Sequence, residues 1–367
     1  MACVAMNKLA IPSCVATTAP LPPANARLLL DSAALVANWR DFARCGTAEA
    51  GAAIKADGYG LGARDVLLRL AAAGCRRFYV AHWHEVPPLL PLPDGVQLSV
   101  LHGVMAHELP AALALPATPV LATAEQVAMW RQTGRPGEVM VDSGMNRLGL
   151  APDSAAAVLA GMAVTVLHSH LGCTEDPAHP LNAQQRACFA DVAAQVPARL
   201  YALANSAGAG LGPAYHFDLI RPGIGLFGGG LLPDGRPSRT VARLAARVLQ
   251  VRDVPVGAAV GYGATFVAAR PSRIATVALG YADGYARGLS SAGQKDGGWA
   301  LAAGVRCPAA GRVSMDMASF DVTDAPGVAE GDWLDIPFDP EAMAAVSGRT
   351  SYELLVALGR RFERIWQ

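Results

Sequence analysis

GAAIKADGYGLGARDVLLRLAAAGCRRFYVAH, residues 51–82, decides the fold. An apolar run, GAAIKA, ends at a lysine and a glycine-rich turn. A stretch of helical period, ARDVLLRLAAAG, follows, and a second apolar run, RFYVAH, closes the unit. The pattern recurs through QLSVLHG, TPVLAT, EVMVDSG, VTVLHSH, RLYALAN and LIRPGIGLFG, with TAEQVAMWRQTG and NAQQRACFADVAAQV among the intervening helix candidates. Eight strand candidates alternating with helices over roughly 200 residues predict an α/β fold whose parallel sheet closes as a (β/α)8 TIM-type barrel. A doubly wound open sheet is the alternative, but no G-x-G-x-x-G opens the first helix.

Beyond about residue 240 the texture turns to β-rich segments with Gly and Pro punctuation: ARVLQVRDVPVGAAVGYGATF, RIATVALGYADG, GVRCPAAGRVSMDMASFDV and GDWLDI. We expect an N-terminal extension over 1–26, a barrel over 27–240 and a mainly β C-terminal domain over 241–367. The extension, MACVAMNKLAIPSCVATTAPLPPANA, is a weak match to a signal peptide, and disorder is the plainer reading.

Thirty basic residues balance thirty acidic ones, and no Lys/Arg block occurs, so no nucleic-acid or polybasic membrane partner is expected. No window reaches the roughly 20 apolar residues of a membrane helix. Seven scattered cysteines without a C-x-x-C pair argue against a disulfide framework and a zinc ribbon, and for a reducing, cytoplasmic compartment.

Barrel enzymes carry their chemistry at the C-terminal ends of the strands. Those ends supply Lys55, His82, Asp142 to Arg147, His170, Asn205, Ser206 and Arg221 to Gly223. Any one of these has an ordinary structural reading; their coincidence on one rim does not. A lysine among apolar neighbours loses hydration, which lowers its pKa and frees the amine for an imine with a carbonyl cofactor. The NS and RPGIG segments offer a hydroxyl and closely approachable backbone N–H groups for a phosphate. Together they point to pyridoxal 5′-phosphate.

The motifs IKADGYG, VDSGMNRLG, HSHLGCTEDPAHPLN, ANSAG, DLIRPGIGLFG, VGYGATF, LGYADG, GRVSMDM and TSYELL together resemble those of alanine racemase, a fold type III pyridoxal-phosphate enzyme. The resemblance implies interconversion of L- and D-alanine, supplying D-alanine for peptidoglycan, by a homodimer whose active sites are shared between subunits. It makes Lys55 the cofactor lysine and one base, and Tyr262, from the other subunit, the second. Tyr59, Ser206, Gly223, Ile224 and Tyr352 match phosphate-binding positions, with Asn205 beside them. Arg221 matches the arginine facing the pyridine nitrogen, His170 the imidazole beside the ring, and Arg147 the residue between cofactor and substrate carboxylate. Met315, with Asp316 beside it, matches the carboxylate-binding backbone. Tyr281 matches the inner gate of the substrate channel, and Glu175, Arg287 and Arg312 its outer part. Arg221 and His170 are the groups expected to make the Tyr262 phenol, with an ordinary pKa of about 10, usable near neutrality.

Two departures stand out. Many relatives carry a carbamylated lysine where this chain has Met140, so Arg147 must be held by a bound anion or another carboxylate. Trp83 occupies a position that is usually smaller, which puts pocket shape in question. Three rival readings are a racemase of broader specificity, a non-catalytic pyridoxal-phosphate carrier, and a zinc hydrolase built on the i, i+2 pairs His82/His84 and His168/His170.

Overall fold

The structure is a computed structural model that describes residues 22–291 and 297–367; residues 1–21 of the expected extension lie outside it. Nine short parallel strands follow in chain order around one sheet: β2 (Glu49–Ala50), β3 (Ala52–Ala53), β4 (Arg77–Val80), β5 (Gln97–Val100), β6 (Thr118–Leu121), β7 (Gly137–Met140), β8 (Val164–His168), β9 (Ala198–Ala202) and β10 (Leu219–Ile220). β2 and β3 are two halves of one strand interrupted at Gly51. β2 pairs with β10 and β3 with β4, so the segment closes the cylinder. Gly51 N–H donates to Ile220 O at 3.0 Å across the seam. The expected eight runs therefore make the expected barrel. The run LIRPGIGLFG gives only a two-residue strand, because Pro222 cannot donate to a ladder and the chain turns into a 3-10 helix at Ile224–Leu226.

β1 (Ala26–Leu30), the first strand of the chain, does not join the barrel. It pairs antiparallel with the long β11 (Ala242–Val254) and parallel with the last strand, Glu363–Trp366. The expected barrel segment 27–240 thus opens with a strand of the other domain's sheet. Leu28 and Leu30 are fully buried there, while Arg27 pairs with Glu363. Sequence periodicity marks a strand but not its partner. β11 also pairs with Trp333–Ile336 and, with a register shift between Val248 and Gln250, with Ser272–Val277, making the second unit mainly β. Its helix Ser351–Val356 starts in a capping box between Thr350 and Glu353, and carries Tyr352 back to the barrel mouth.

Candidate active site

A cavity of about 530 Å³ opens at the C-terminal ends of the strands. Lys55 reaches it from a left-handed turn: Ala56, Asp57 and Tyr59 have φ of 53°, 54° and 55°. Such φ values cost L-residues roughly 1–2 kcal/mol each and persist only where contacts over-determine them. Here Glu85 accepts Ala56 N–H at 2.7 Å, Asp57 accepts Ala63 N–H at 3.0 Å, and the Tyr59 ring stacks on Phe227 at 4.7 Å. Burial pulls the Lys55 pKa down, and the nearby Arg147 and Arg221 cations lower it further. The Glu85 carboxylate opposes this, but the net effect is to make the amine easier to deprotonate than a lysine in water.

The cavity gathers Tyr59, Arg147, His170, Asn205, Ser206, Arg221, Gly223, Ile224 and Tyr352 around Lys55. At one end, Ser206 Oγ accepts N–H groups from Gly223 (2.8 Å) and Gly225 (3.2 Å), and Asn205 Oδ1 accepts Gly208 N–H. A Cβ on Gly223 would lie 2.3 Å from the Tyr59 hydroxyl, so only glycine lets the phenol approach that backbone. Asp142 organises the Arg147 loop: its carboxylate accepts four consecutive N–H groups, from Gly144 to Arg147. Burial opposes its charge, but these bonds prevail and hold its pKa below the usual range. No ion pair to the Arg147 guanidinium is formed among the described residues, and Met140 lines the cavity beside it.

His170 is pushed down to about 3, first by burial and then by Arg221, Arg147 and Lys55, so its imidazole is neutral. Of the two groups expected to assist the Tyr262 phenol, the neutral His170 is left a hydrogen-bonding role, and Arg221 is the cation on that wall. His168 is unavailable to a metal, since its ring nitrogens contact Glu138 and Arg221. His82 and His84 stack face to face at 5.2 Å in a 3-10 turn rather than projecting from a strand. Trp83 lies buried behind the wall, its indole N–H on Gly103 O at 2.8 Å, and does not reach the cavity.

Tyr262, Tyr281, Met315 and Asp316 are absent from this cavity. They sit in the β domain, where Tyr262 is 72% exposed, beside the Arg312 guanidinium that closes on Gly263. Tyr281 N–H donates to Ser314 O and Ala282 N–H to Met315 O, which sets the tyrosine next to Met315. Asp316 pairs with Arg361 at 2.7 Å. Glu175 stands near enough to Tyr352 to raise its pKa, behind the larger effect of burial. Arg287 begins a 3-10 turn, Arg287–Leu289.

Sequence reasoning missed Tyr79, a buried cavity residue whose hydroxyl has no partner, and Glu138, a carboxylate inside the barrel. A charged residue within the apolar run EVMV was the available signal for Glu138. Nothing in RFYV singled out Tyr79. The donor set fits a phosphorylated pyridine aldehyde: a desolvated amine, an arginine on one wall, two phenols and a serine hydroxyl at a glycine cradle, and an orphaned hydroxyl lining the same space.

Family models describe the two halves of the chain: alanine racemase, N-terminal domain, matches residues 30–230, and alanine racemase, C-terminal domain, matches residues 241–366. An alanine racemase of Acidiphilium cryptum is 41% identical over 353 residues, covering 92% of this chain and 98% of that protein. One from Methylobacterium sp. is 42% identical, covering 94% and 98%. The crystal structure of alanine racemase from Bartonella henselae, with covalently bound pyridoxal phosphate, superposes with a TM-score of 0.84 at 34% identity, covering 94% of this chain and all of that one. The biosynthetic enzyme of Pseudomonas aeruginosa gives 0.83 at 34%, covering 94% and 99%. The chain belongs to the alanine racemase family.

Proposed function

We propose that this protein racemises alanine with pyridoxal 5′-phosphate, as a homodimer in the cytoplasm. The observation that carries the reading is the desolvated Lys55 amine set among Arg221, Arg147 and His170 in one cavity with a glycine-and-phenol cradle at its end. Tyr59, Ser206, Gly223, Ile224 and Tyr352 would hold the phosphate, with Asn205 supporting the Ser206 turn, and Arg221 would face the pyridine nitrogen. When bound, the cofactor supplies the electron-withdrawing system that makes the α-proton of alanine removable.

Inversion requires one proton acceptor on each face of the α-carbon. Lys55 serves one face, because it lines the cavity and its desolvated amine loses its proton more readily than a lysine in water. Tyr262 serves the other from a second copy, since it lies exposed in its own chain and away from that chain's cavity. Arg221 donates hydrogen bonds without giving up a proton, so facing the pyridine nitrogen it would leave that nitrogen unprotonated and make the bound group a weaker electron sink. Neutral His170 holds its place without adding charge. Arg147 and the Met315 backbone, with Asp316 beside it, orient the substrate carboxylate, and Tyr281 narrows the entrance lined by Glu175, Arg287 and Arg312. Among the described residues no helix is long and apolar enough to cross a membrane.

Incubation with L-alanine and pyridoxal phosphate in D₂O tests the reading. α-Deuterated D-alanine is the expected product. Deuterium entering L-alanine without inversion would remove one of the two bases, and no exchange would remove the function.

A further inference from the structure

Inside the barrel, under the cavity, a polar chain runs to Arg221 through residues that none of these roles uses. Glu138 on β7 accepts the Ser99 hydroxyl on one oxygen, at 2.7 Å, and meets His168 Nε2 with the other, at 2.7 Å. The opposite ring nitrogen, His168 Nδ1, lies 3.1 Å from Arg221 NH1. NH1 also donates to Ala202 O at 2.9 Å, and NH2 to Ser169 O at 2.7 Å. Glu138, His168 and Arg221 are all buried, and the Tyr79 ring meets His168 edge-on at 5.8 Å.

A guanidinium carries donors only, so His168 Nδ1 must accept. The ring proton is then on Nε2 and points at the Glu138 carboxylate. Charge requires the same arrangement. The named partners of Arg221 are all neutral, two carbonyls and an imidazole, and a buried cation without an anion is costly. Glu138, one ring away, is the anion that balances it. An imidazolium at His168 would set two donors against each other and release Arg221.

We infer that Glu138 and His168 are positioning residues, a carboxylate–imidazole relay that fixes the place and charge of the Arg221 guanidinium in the cavity wall. The inference rests on the reading of Arg221 as the cation facing the cofactor nitrogen. The relay spends Arg221 donors on the barrel interior and leaves the rest for the cavity that Arg221 lines. It acts through Arg221 and touches no reacting atom.

Glu138→Gln keeps the shape and an acceptor for His168 while removing the charge. The expected result is a fall in kcat of about 10- to 100-fold, the effect of one hydrogen bond to a charged group, with KM for alanine little changed and apoprotein affinity for pyridoxal phosphate weakened. In a cycle with Arg221→Lys the two losses should be far from additive. Nitrogen-15 shifts of His168 in the wild-type apoprotein should report the Nε2–H tautomer. A ring protonated on Nδ1, a folded Glu138→Gln protein with wild-type kcat and cofactor affinity, or additive losses would each overturn the relay. If Glu138→Gln does not fold, Ser99→Ala removes a single bond to the same carboxylate and should lower kcat several-fold; no change would count against the relay. A wild type that never racemises alanine would sink the proposed function, while the tautomer and the cofactor affinity would still judge the relay.

Discussion

Replacing Gly223 by alanine tests whether the inner end of the cavity is built around the Tyr59 hydroxyl. The added Cβ would sit 2.3 Å from that oxygen, 3.1 Å from Tyr59 Cζ and 3.5 Å from Ala53 Cβ. Relieving the first contact needs a shift of about 1 Å toward ordinary non-bonded separation. Tyr59 has little room to give: its ring is stacked on Phe227, its side chain is buried, and its backbone is held at a positive φ. Overpacking of this kind costs ~1–3 kcal/mol. For a domain of barrel size that lowers Tm by roughly 2–4 °C per kcal/mol. Tyr59→Phe removes the oxygen and leaves Cζ as the nearest atom, a contact that a small shift relieves. The double variant should therefore recover more than half of the stability lost by Gly223→Ala, a coupling of about 1 kcal/mol. Cofactor affinity should recover in neither, because one variant displaces the hydroxyl and the other deletes it. Thermal unfolding of the three apoproteins and titration with pyridoxal phosphate read both effects. Unfolding of Gly223→Ala at the wild-type midpoint, or equal destabilisation with and without the Tyr59 hydroxyl, would refute the reasoning.

Equal amounts of Tyr262→Phe and Lys55→Ala proteins, mixed and allowed to exchange, should regain activity at about a quarter of the sites, as a two-fold dimer with shared sites requires; activity no higher than the separate variants would exclude sharing. Because Met140 cannot carry a carbamate, activity should be the same in bicarbonate-free buffer and after bicarbonate is restored, and a rise on restoration would refute this. His170 is depressed from 6.5 to about 3, so between those values the unfolded chain binds the extra proton and stability falls as pH drops. From pH 6.5 to 5 the loss from His170 is up to about 2 kcal/mol. His170→Gln should flatten this limb of the urea midpoint against pH, and an unchanged slope would show that His170 is not the group responsible.

Alternation of apolar runs with helical stretches was sufficient for the barrel, because each parallel strand buried on both faces needs a continuous apolar run and a crossover. The lysine at the end of GAAIKA and the NS and RPGIG segments were legible as chemistry for a simple reason: polar residues at the ends of apolar runs fall on one rim. What the chain order could not supply was anything that depends on which atoms meet across the fold. β1 reads as a strand, yet only packing decides that Leu28 and Leu30 are buried against β11 rather than in the barrel. His170 reads as an imidazole of ordinary pKa until burial and two arginines strip its charge. Glu138, His168 and Arg221 are 30 and 53 residues apart in sequence and become one hydrogen-bonded chain only when the barrel closes. Residue types and their order determined the kind of site; desolvation and long-range contact, which exist only in the folded state, decided the charge each group carries there.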